Sequence, residues 1–165
     1  MAAAVDFVQD GCRDIWAPAK KRRFPSGDKY VHKALKDKAL KVYLVEDSPV
    51  LRDRVIESLE DTGGSRVVGS ADTEDDAVSG IVASTPDAVV LDIQLRQGNG
   101  LNVLRRLRSL PLDVRPLVIV LTNYNYPEFR FRAIAAGTDY FFDKATELHR
   151  VAEVLGAFGN TPSSH

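Results

Sequence analysis

The sequence contains a single cysteine, Cys12, among its 165 residues. One cysteine cannot form an internal disulfide, and without cysteine or histidine partners nearby it does not form a zinc site. The three histidines, His32, His149 and His165, have no metal-ligand spacing either, and we expect them at the surface. The sequence therefore excludes a disulfide scaffold and a structural zinc domain, and Cys12 is predicted to be an incidental reduced thiol.

Long apolar runs are also missing. No stretch approaches the roughly 18 consecutive apolar residues of a membrane-spanning helix. The opening residues, MAAAVDFVQDGC, have neither the basic start nor the apolar run of a secretory signal. With 44% hydrophobic and 27% charged residues, the composition is typical of one globular domain with a short extension. We expect a cytoplasmic protein that does not bind a membrane.

Lysine is nearly absent from most of the sequence. Residues 1–41 carry ten Lys or Arg against five Asp, whereas residues 42–165 carry twelve basic against eighteen acidic side chains. Eleven of those twelve basic side chains are arginine, and the exception is Lys144. Lys144 is thus the only lysine after Lys41, and a solitary ammonium in a region that otherwise uses arginine indicates a specific role.

Residues 1–40 are predicted to form a basic extension that is flexible or partly helical. The run KKRR at residues 20–23, followed by FPSG, is typical of a turn-prone linker. Such a cluster could contact nucleic-acid phosphates, but five acidic residues in the same extension favour a solvated tail, so no nucleic-acid partner is expected. The alternative is an added helix packed by Trp16, Tyr30 or Leu35.

From Val42 onward, short β-branched runs alternate with helical periodicity, a pattern typical of βα units around a parallel sheet. The onsets of the five predicted strands are about 22 to 29 residues apart, which leaves room for one crossover helix each. We therefore predict an α/β domain over residues 41–158, with a doubly wound, five-stranded parallel sheet of order 2-1-3-4-5 and helices on both faces. The predicted strands are Val42–Val45, Arg66–Gly69, Ala88–Leu91, Leu117–Leu121 and Tyr140–Phe142.

The segments between the strands carry helix signals. Ser48 and Pro49 are predicted to be the N-cap and the first position of the first helix. Gly100 is predicted to precede the third helix, and residues 146–158 to form the fifth. Residues 159–165 are predicted to be a disordered tail, so the sequence predicts a stand-alone domain without an output domain.

Acidic side chains follow two of the predicted strands. Glu46 and Asp47 come after the first strand, and Asp92 comes after the third. Because a sheet of order 2-1-3-4-5 reverses its strand order between these two strands, we expect the three carboxylates to converge. Carboxylates that converge repel one another unless a cation or a proton offsets their charge. Hard oxygen ligands suit Mg²⁺, so a magnesium site is predicted here.

Two further polar side chains are expected at the same edge of the sheet. Thr122 ends the fourth strand, and Lys144 follows the fifth. A metal, a carboxylate nucleophile and two groups that bind phosphoryl oxygens are the equipment of phosphoryl transfer. Asp92 would attack in line, while the cation and Lys144 neutralise charge on the phosphoryl oxygens.

Taken in order, the segments VEDSP, VVLDIQ, VLTN and FFDK make residues 40–158 resemble the receiver domain of two-component response regulators, which has a flavodoxin-like fold. The resemblance implies that Asp92 accepts a phosphoryl group from a phosphohistidine. The partner would be a sensor histidine kinase or a histidine phosphotransfer protein. It also implies that Asp47 and Asp92 bind Mg²⁺ directly, that Glu46 acts through water, and that the backbone carbonyl of Gln94 completes the protein ligands.

The remaining site residues follow from the same resemblance. Thr122 and Lys144 would bind the phosphoryl oxygens, and Thr122 and Phe141 would act as the switch. On phosphorylation Phe141 would repack beneath the fourth helix and alter a nearby docking surface, for which the predicted exposed residues are Arg130, Arg132 and Glu147.

The sequence departs from the family pattern at three positions. Arg96 replaces the usual proline four residues after the acceptor, which is expected to loosen that loop. Asn123 is larger than the residue that commonly follows Thr122, which could alter the lifetime of the acyl phosphate. Ala145 replaces the proline of a Lys-Pro pair that is usually cis, and a cis bond without proline costs about 2.5–4 kcal/mol.

The predicted function is a stand-alone response regulator that acts as a switch and not as an enzyme. It would signal in trans through a target protein, as a monomer or a phosphorylation-dependent dimer. One alternative is a phosphatase of the haloacid-dehalogenase type, which the order of the motifs disfavours because its D-x-D nucleophile follows the first strand. The other is a degenerate receiver that acts as a phosphorylation-independent interaction module, which the altered loops leave open.

Overall fold

A computed structural model describes residues 39–61, 63–112 and 115–159. The predicted basic extension up to residue 38 and the predicted tail beyond Gly159 lie outside the described residues. In chain order the elements are β1 (Leu40–Val45), α1 (Pro49–Glu60), β2 (Ser65–Ala71), α2 (Glu74–Ser84), β3 (Ala88–Leu91), α3 (Gly100–Ser109), β4 (Leu117–Thr122), α4 (Pro127–Ala135), β5 (Tyr140–Asp143) and α5 (His149–Gly159).

The five strands form one parallel sheet of order β2-β1-β3-β4-β5. This confirms the predicted doubly wound, flavodoxin-like fold. The order reverses between β1 and β3, where Val45 pairs with Leu91. The residues that follow this pair therefore lie side by side at the carboxyl edge of the sheet, where ligands bind in open α/β sheets.

Side chains that alternate along the strands build a core on each face of the sheet. In β1, Val42 and Leu44 pack in a cluster with residues of α1 and α5, whereas Tyr43 and Val45 pack with residues of α2 and α3. All four residues of β3 are buried, as expected for a strand that helices cover on both faces. In the part of the chain that the structure describes, no helix is both long and apolar enough to cross a membrane.

Two helix starts differ from the prediction. Gly100 is the first residue of α3 and does not precede it, because the side chain of Asn99 caps the helix by accepting from the Leu101 N–H at 2.8 Å. The fifth helix begins at His149 and not at residue 146. Residues 143–147 instead close a turn in which the Glu147 N–H donates to the Asp143 carbonyl at 2.8 Å. The cap of α1 is as predicted, with Ser48 as N-cap before Pro49.

Candidate functional site

The three predicted carboxylates come together at the switch point of the sheet. Glu46 and Asp47 follow β1, and Asp92 follows β3 directly. One carboxylate oxygen from each of the three lies within 4.8 Å of the others. Glu46 and Asp92 are buried, and Asp47 is half-buried. This acidic cluster could hold a metal ion, and its all-oxygen donor set is the type that Mg²⁺ prefers.

The solitary Lys144 lies inside this cluster. Its ammonium is 2.6 Å from Asp92 Oδ2 and 2.7 Å from Glu46 Oε2, and its side chain is only 6% exposed. The turn after β5 holds it there, since the Lys144 N–H donates to the carbonyl of Thr122 at 3.1 Å. The ammonium therefore pairs with two of the three carboxylates of the cluster. The cluster keeps an excess of negative charge that a bound cation could offset, because buried charges are stable only when paired.

Glu46 is the most deeply placed carboxylate of the cluster, at 2% exposed. Its Oε1 accepts from the Ser48 N–H at 3.0 Å, and its Oε2 faces Lys144. Burial raises the pKa of Glu46 above its ordinary value, while the hydrogen bonds from Lys144 and Ser48 act in the opposite direction. The contact with Lys144 was not foreseen from the sequence, in which Lys144 was assigned to phosphoryl oxygens alone.

Asp92 is held by the loop that follows it. Its Oδ1 accepts from the Gln94 N–H at 3.3 Å, and Oδ2 faces Lys144. The start of α3 presses against the same backbone, since a Cβ added to Gly100 would lie 1.9 Å from the Asp92 carbonyl oxygen. Only glycine fits there, so the close approach of α3 to the Asp92 backbone requires glycine at position 100. The role of the Gln94 carbonyl as a metal ligand stays a prediction.

Thr122 ends β4 and is fully buried. Its Oγ accepts from the Tyr124 N–H at 3.2 Å, which fixes the start of the loop between β4 and α4. Its neighbour Asn123 is exposed. The proposed contact of the Thr122 hydroxyl with a phosphoryl oxygen stays a prediction.

The predicted switch residue Phe141 is buried in a small cluster with side chains from β4, α3 and α4. The guanidinium of Arg130 lies 4.8 Å from the centre of its ring. Two of the three residues predicted to be exposed on the nearby surface are partly buried. Arg130 covers Phe141, and Glu147 accepts from the Asp143 N–H at 3.0 Å. Arg132 is exposed, as predicted.

Two of the altered loops have well-defined contacts. The Arg96 side chain pairs with Asp72 at 3.0 Å, so the loop that lacks the usual proline is tied to the turn after β2. The bond between Lys144 and Ala145 is trans, because the described residues contain no cis peptide. The Ala145 N–H donates to Asp143 Oδ1 at 2.7 Å, and this bond holds the turn without a proline.

Comparisons with known proteins agree with this fold. Residues 42–155 match the family model of the response regulator receiver domain. The chain is 36% identical over 121 residues to the DNA-binding transcriptional activator DevR/DosR of Mycobacterium tuberculosis, covering 72% of this chain and 55% of that protein. It is 39% identical over 116 residues to the sensory transduction protein LytT of Bacillus cereus, covering 70% of this chain and 46% of that protein.

A solved structure shows the same fold. The signal receiver domain of the putative response regulator NarL from Mycobacterium tuberculosis superposes with a TM-score of 0.68 at 25% sequence identity. The match covers 76% of this chain and 99% of that domain. The chain spans about half the length of the curated relatives it matches. The match over residues 42–155 shows that this chain belongs to the response regulator receiver domain family of two-component signalling.

Proposed function

We propose that this protein is a phosphorylation switch in which Asp92 accepts a phosphoryl group in a reaction that depends on Mg²⁺. One observation carries the proposal: the buried Asp92 carboxylate contacts the Lys144 ammonium and lies among the carboxylate oxygens of Glu46 and Asp47. A carboxylate in this setting is kept from water and lies beside groups that bind anionic oxygens and a cation.

The charges of the cluster favour a divalent cation. Three carboxylates and one ammonium leave an excess of negative charge in a largely buried site. Asp47, Asp92 and the Gln94 carbonyl would hold Mg²⁺ directly, and Glu46 would act through water. When bound, the ion would neutralise charge on the phosphoryl oxygens and orient them.

The reaction joins Asp92 to the donor's phosphorus. A bond forms between a carboxylate oxygen of Asp92 and phosphorus while the phosphorus–nitrogen bond of a phosphohistidine breaks, and the imidazole leaves with that electron pair. Lys144 already contacts Asp92 Oδ2, and its ammonium would pair with a phosphoryl oxygen. Thr122 would donate its hydroxyl to another. The product is an acyl phosphate, and the protein serves as a switch and not as an enzyme.

The readout would be a change of protein contacts. New charge at Asp92 would draw Thr122 and Lys144 toward the phosphoryl group, and Phe141 would move from under Arg130. Receiver domains interact with histidine kinases, and we propose a sensor histidine kinase or a histidine phosphotransfer protein as the donor, with this protein in the cytoplasm. One relative is named a DNA-binding transcriptional activator, so its output acts on DNA. Signalling by this chain in trans stays a prediction from the sequence.

The test is phosphorylation by a small-molecule donor. Wild type, Asp92→Asn and the control Asp53→Asn are incubated with acetyl phosphate and Mg²⁺, and their intact masses are measured. Asp53 lies exposed on α1 and makes a matched control. We expect one phosphoryl mass on wild type and on Asp53→Asn, none on Asp92→Asn, and none on any of them in EDTA. An unmodified wild type would instead favour the phosphorylation-independent interaction module.

A further inference from the structure

The loop that follows Asp92 is tied to the start of α2. The Arg96 N–H donates to the Asp72 carbonyl at 3.1 Å, and the Glu74 N–H donates to the Gln97 carbonyl at 2.9 Å. Thr73 and Gln97 also pair in a short parallel bridge. These backbone bonds join two turns that follow different strands. They set the distance between the β3–α3 loop and α2 where the loop has no proline to stiffen it.

Glu74 is the side chain that completes this junction. Its Oε2 accepts from the Asn99 N–H at 3.1 Å and from the Asn102 side-chain amide at 3.3 Å. Its Oε1 lies 3.4 Å from the guanidinium of Arg106, and the Glu74 side chain is only 19% exposed. One carboxylate therefore fixes the end of the loop and the first turn of α3.

The contact at Asn99 is connected to the acidic cluster through the backbone. Asn99 pairs with Gln94 in an antiparallel bridge, and the Gly100 N–H donates to the Ile93 carbonyl at 2.8 Å beside it. The Gln94 N–H in turn donates to Asp92 Oδ1. A displacement at Asn99 would therefore be passed to the backbone of Gln94.

We propose that Glu74 is a positioning residue, which sets the Gln94 carbonyl as a metal ligand by holding Asn99. This inference rests on the proposed function, since it assumes that Mg²⁺ binds at the acidic cluster. Mg²⁺ demands near-ideal octahedral geometry, so a ligand carbonyl on a loose loop binds it less well. Groups that orient a metal ligand without touching the metal change affinity by about tenfold or more when removed.

Two substitutions of Glu74 separate its reach from its charge. Glu74→Asp keeps the carboxylate at the start of α2 but shortens the side chain by one carbon–carbon bond, about 1.5 Å, which withdraws it from Asn99. Glu74→Gln removes the charge but keeps an oxygen that can accept from the Asn99 N–H. The matched control is Asp75→Asn, since Asp75 is 89% exposed and pairs with the same Arg106.

The measurement is the Mg²⁺ dissociation constant by titration calorimetry with magnesium chloride, together with the free energy of unfolding in EDTA. We expect Glu74→Asp to bind Mg²⁺ about tenfold more weakly than wild type. Glu74→Gln and Asp75→Asn should bind within about twofold of wild type, because Glu74→Gln keeps an acceptor for the Asn99 N–H and Asp75 pairs with Arg106 at the exposed surface. A merely structural role would change unfolding in EDTA and leave the dissociation constant of Glu74→Asp as in wild type.

Several outcomes would overturn the inference. The first is a Glu74→Asp protein with wild-type affinity, and the second is a Glu74→Gln protein that is weakened as much as Glu74→Asp. Loss of affinity in Asp75→Asn equal to that in Glu74→Asp would also overturn it, because the cause would then be Arg106. Wild type that binds no Mg²⁺ would overturn the proposed function itself, and the inference with it.

Discussion

The ammonium of Lys144 lies 2.6 Å from the carboxylate of Asp92, although 52 positions separate the two residues in the sequence. Both side chains are about 6% exposed. At this depth an ion pair contributes little net stability, because desolvation offsets most of the attraction. Removing one partner, however, leaves a buried charge unpaired and strongly destabilises the fold. We therefore expect Lys144 to matter for the stability of the site as well as for the proposed phosphoryl binding.

Lys144→Met is expected to lower the free energy of unfolding in EDTA by about 3 kcal/mol, because it leaves Asp92 and Glu46 buried without their cation. Added Mg²⁺ should restore part of the loss. Urea unfolding followed by circular dichroism measures both effects. Arg132→Met, which removes an exposed cation on α4, should change stability by less than about 0.5 kcal/mol. Equal effects of the two substitutions would contradict the role of the buried pair.

Glu46 makes the stability of the metal-free protein depend on pH. Burial raises the pKa of Glu46 in the folded protein above its value in the unfolded chain. At a pH between these two pKa values, the folded protein therefore holds the proton on Glu46 more than the unfolded chain does. The contribution of Glu46 to stability is therefore fully present below its unfolded pKa and is lost as pH rises through its folded pKa. In EDTA, Glu46→Gln should flatten this part of the pH profile of urea unfolding. Glu153→Gln, which alters an exposed carboxyl on α5, should leave the profile as in wild type.

Mg²⁺ should raise the melting temperature, because it binds the clustered carboxylates of the folded protein and not the unfolded chain. At one hundred times the dissociation constant, the gain in unfolding free energy is about 2.7 kcal/mol. Asp47→Asn removes one of the three carboxylates and should reduce the shift strongly, whereas Asp53→Asn should keep it. Scanning calorimetry over a series of Mg²⁺ concentrations measures the shift in melting temperature for each protein. A wild-type melting temperature that does not change with Mg²⁺ would count against the metal site.

The same substitution at two glycines should have opposite effects. Gly100→Ala places a Cβ 1.9 Å from the Asp92 carbonyl oxygen and is expected to cost about 3 kcal/mol, since backbone must move. Gly156→Ala adds a Cβ in α5 that meets no atom within 4 Å outside the local helix backbone and should stabilise by about 0.5–1 kcal/mol. Urea unfolding measures the change in the free energy of unfolding of both variants. A Gly100→Ala protein as stable as wild type would contradict the close approach of residue 100 to the Asp92 carbonyl.

The strands were predictable because their signal is local and apolar, and their order because few arrangements of consecutive βα units are common. The run AVVL was predicted as a strand with the bounds Ala88–Leu91 that the structure shows. The meeting of Glu46, Asp47 and Asp92 then follows from the strand order alone. The residue types at the ends of the strands were sufficient to predict that these side chains lie close together.

Contacts between different turns could not be read from the sequence. Arg96 was expected to loosen its loop, but its partner Asp72 lies 24 positions away after another strand. The pairing of Lys144 with Glu46 was missed for the same reason. The start of α5 was placed too early because the helical pattern continues into a turn whose hydrogen bonds close on Asp143.

The most direct test of Asp92 as the phosphoacceptor is to locate the phosphoryl group. Wild type treated with acetyl phosphate and Mg²⁺ is reduced with borohydride, which converts an aspartyl phosphate to homoserine, and the peptides are sequenced by mass spectrometry. We predict homoserine at position 92 only, and none when Mg²⁺ is withheld. Homoserine at another aspartate, or at no position in a protein that has gained the phosphoryl mass, would contradict the assignment of Asp92.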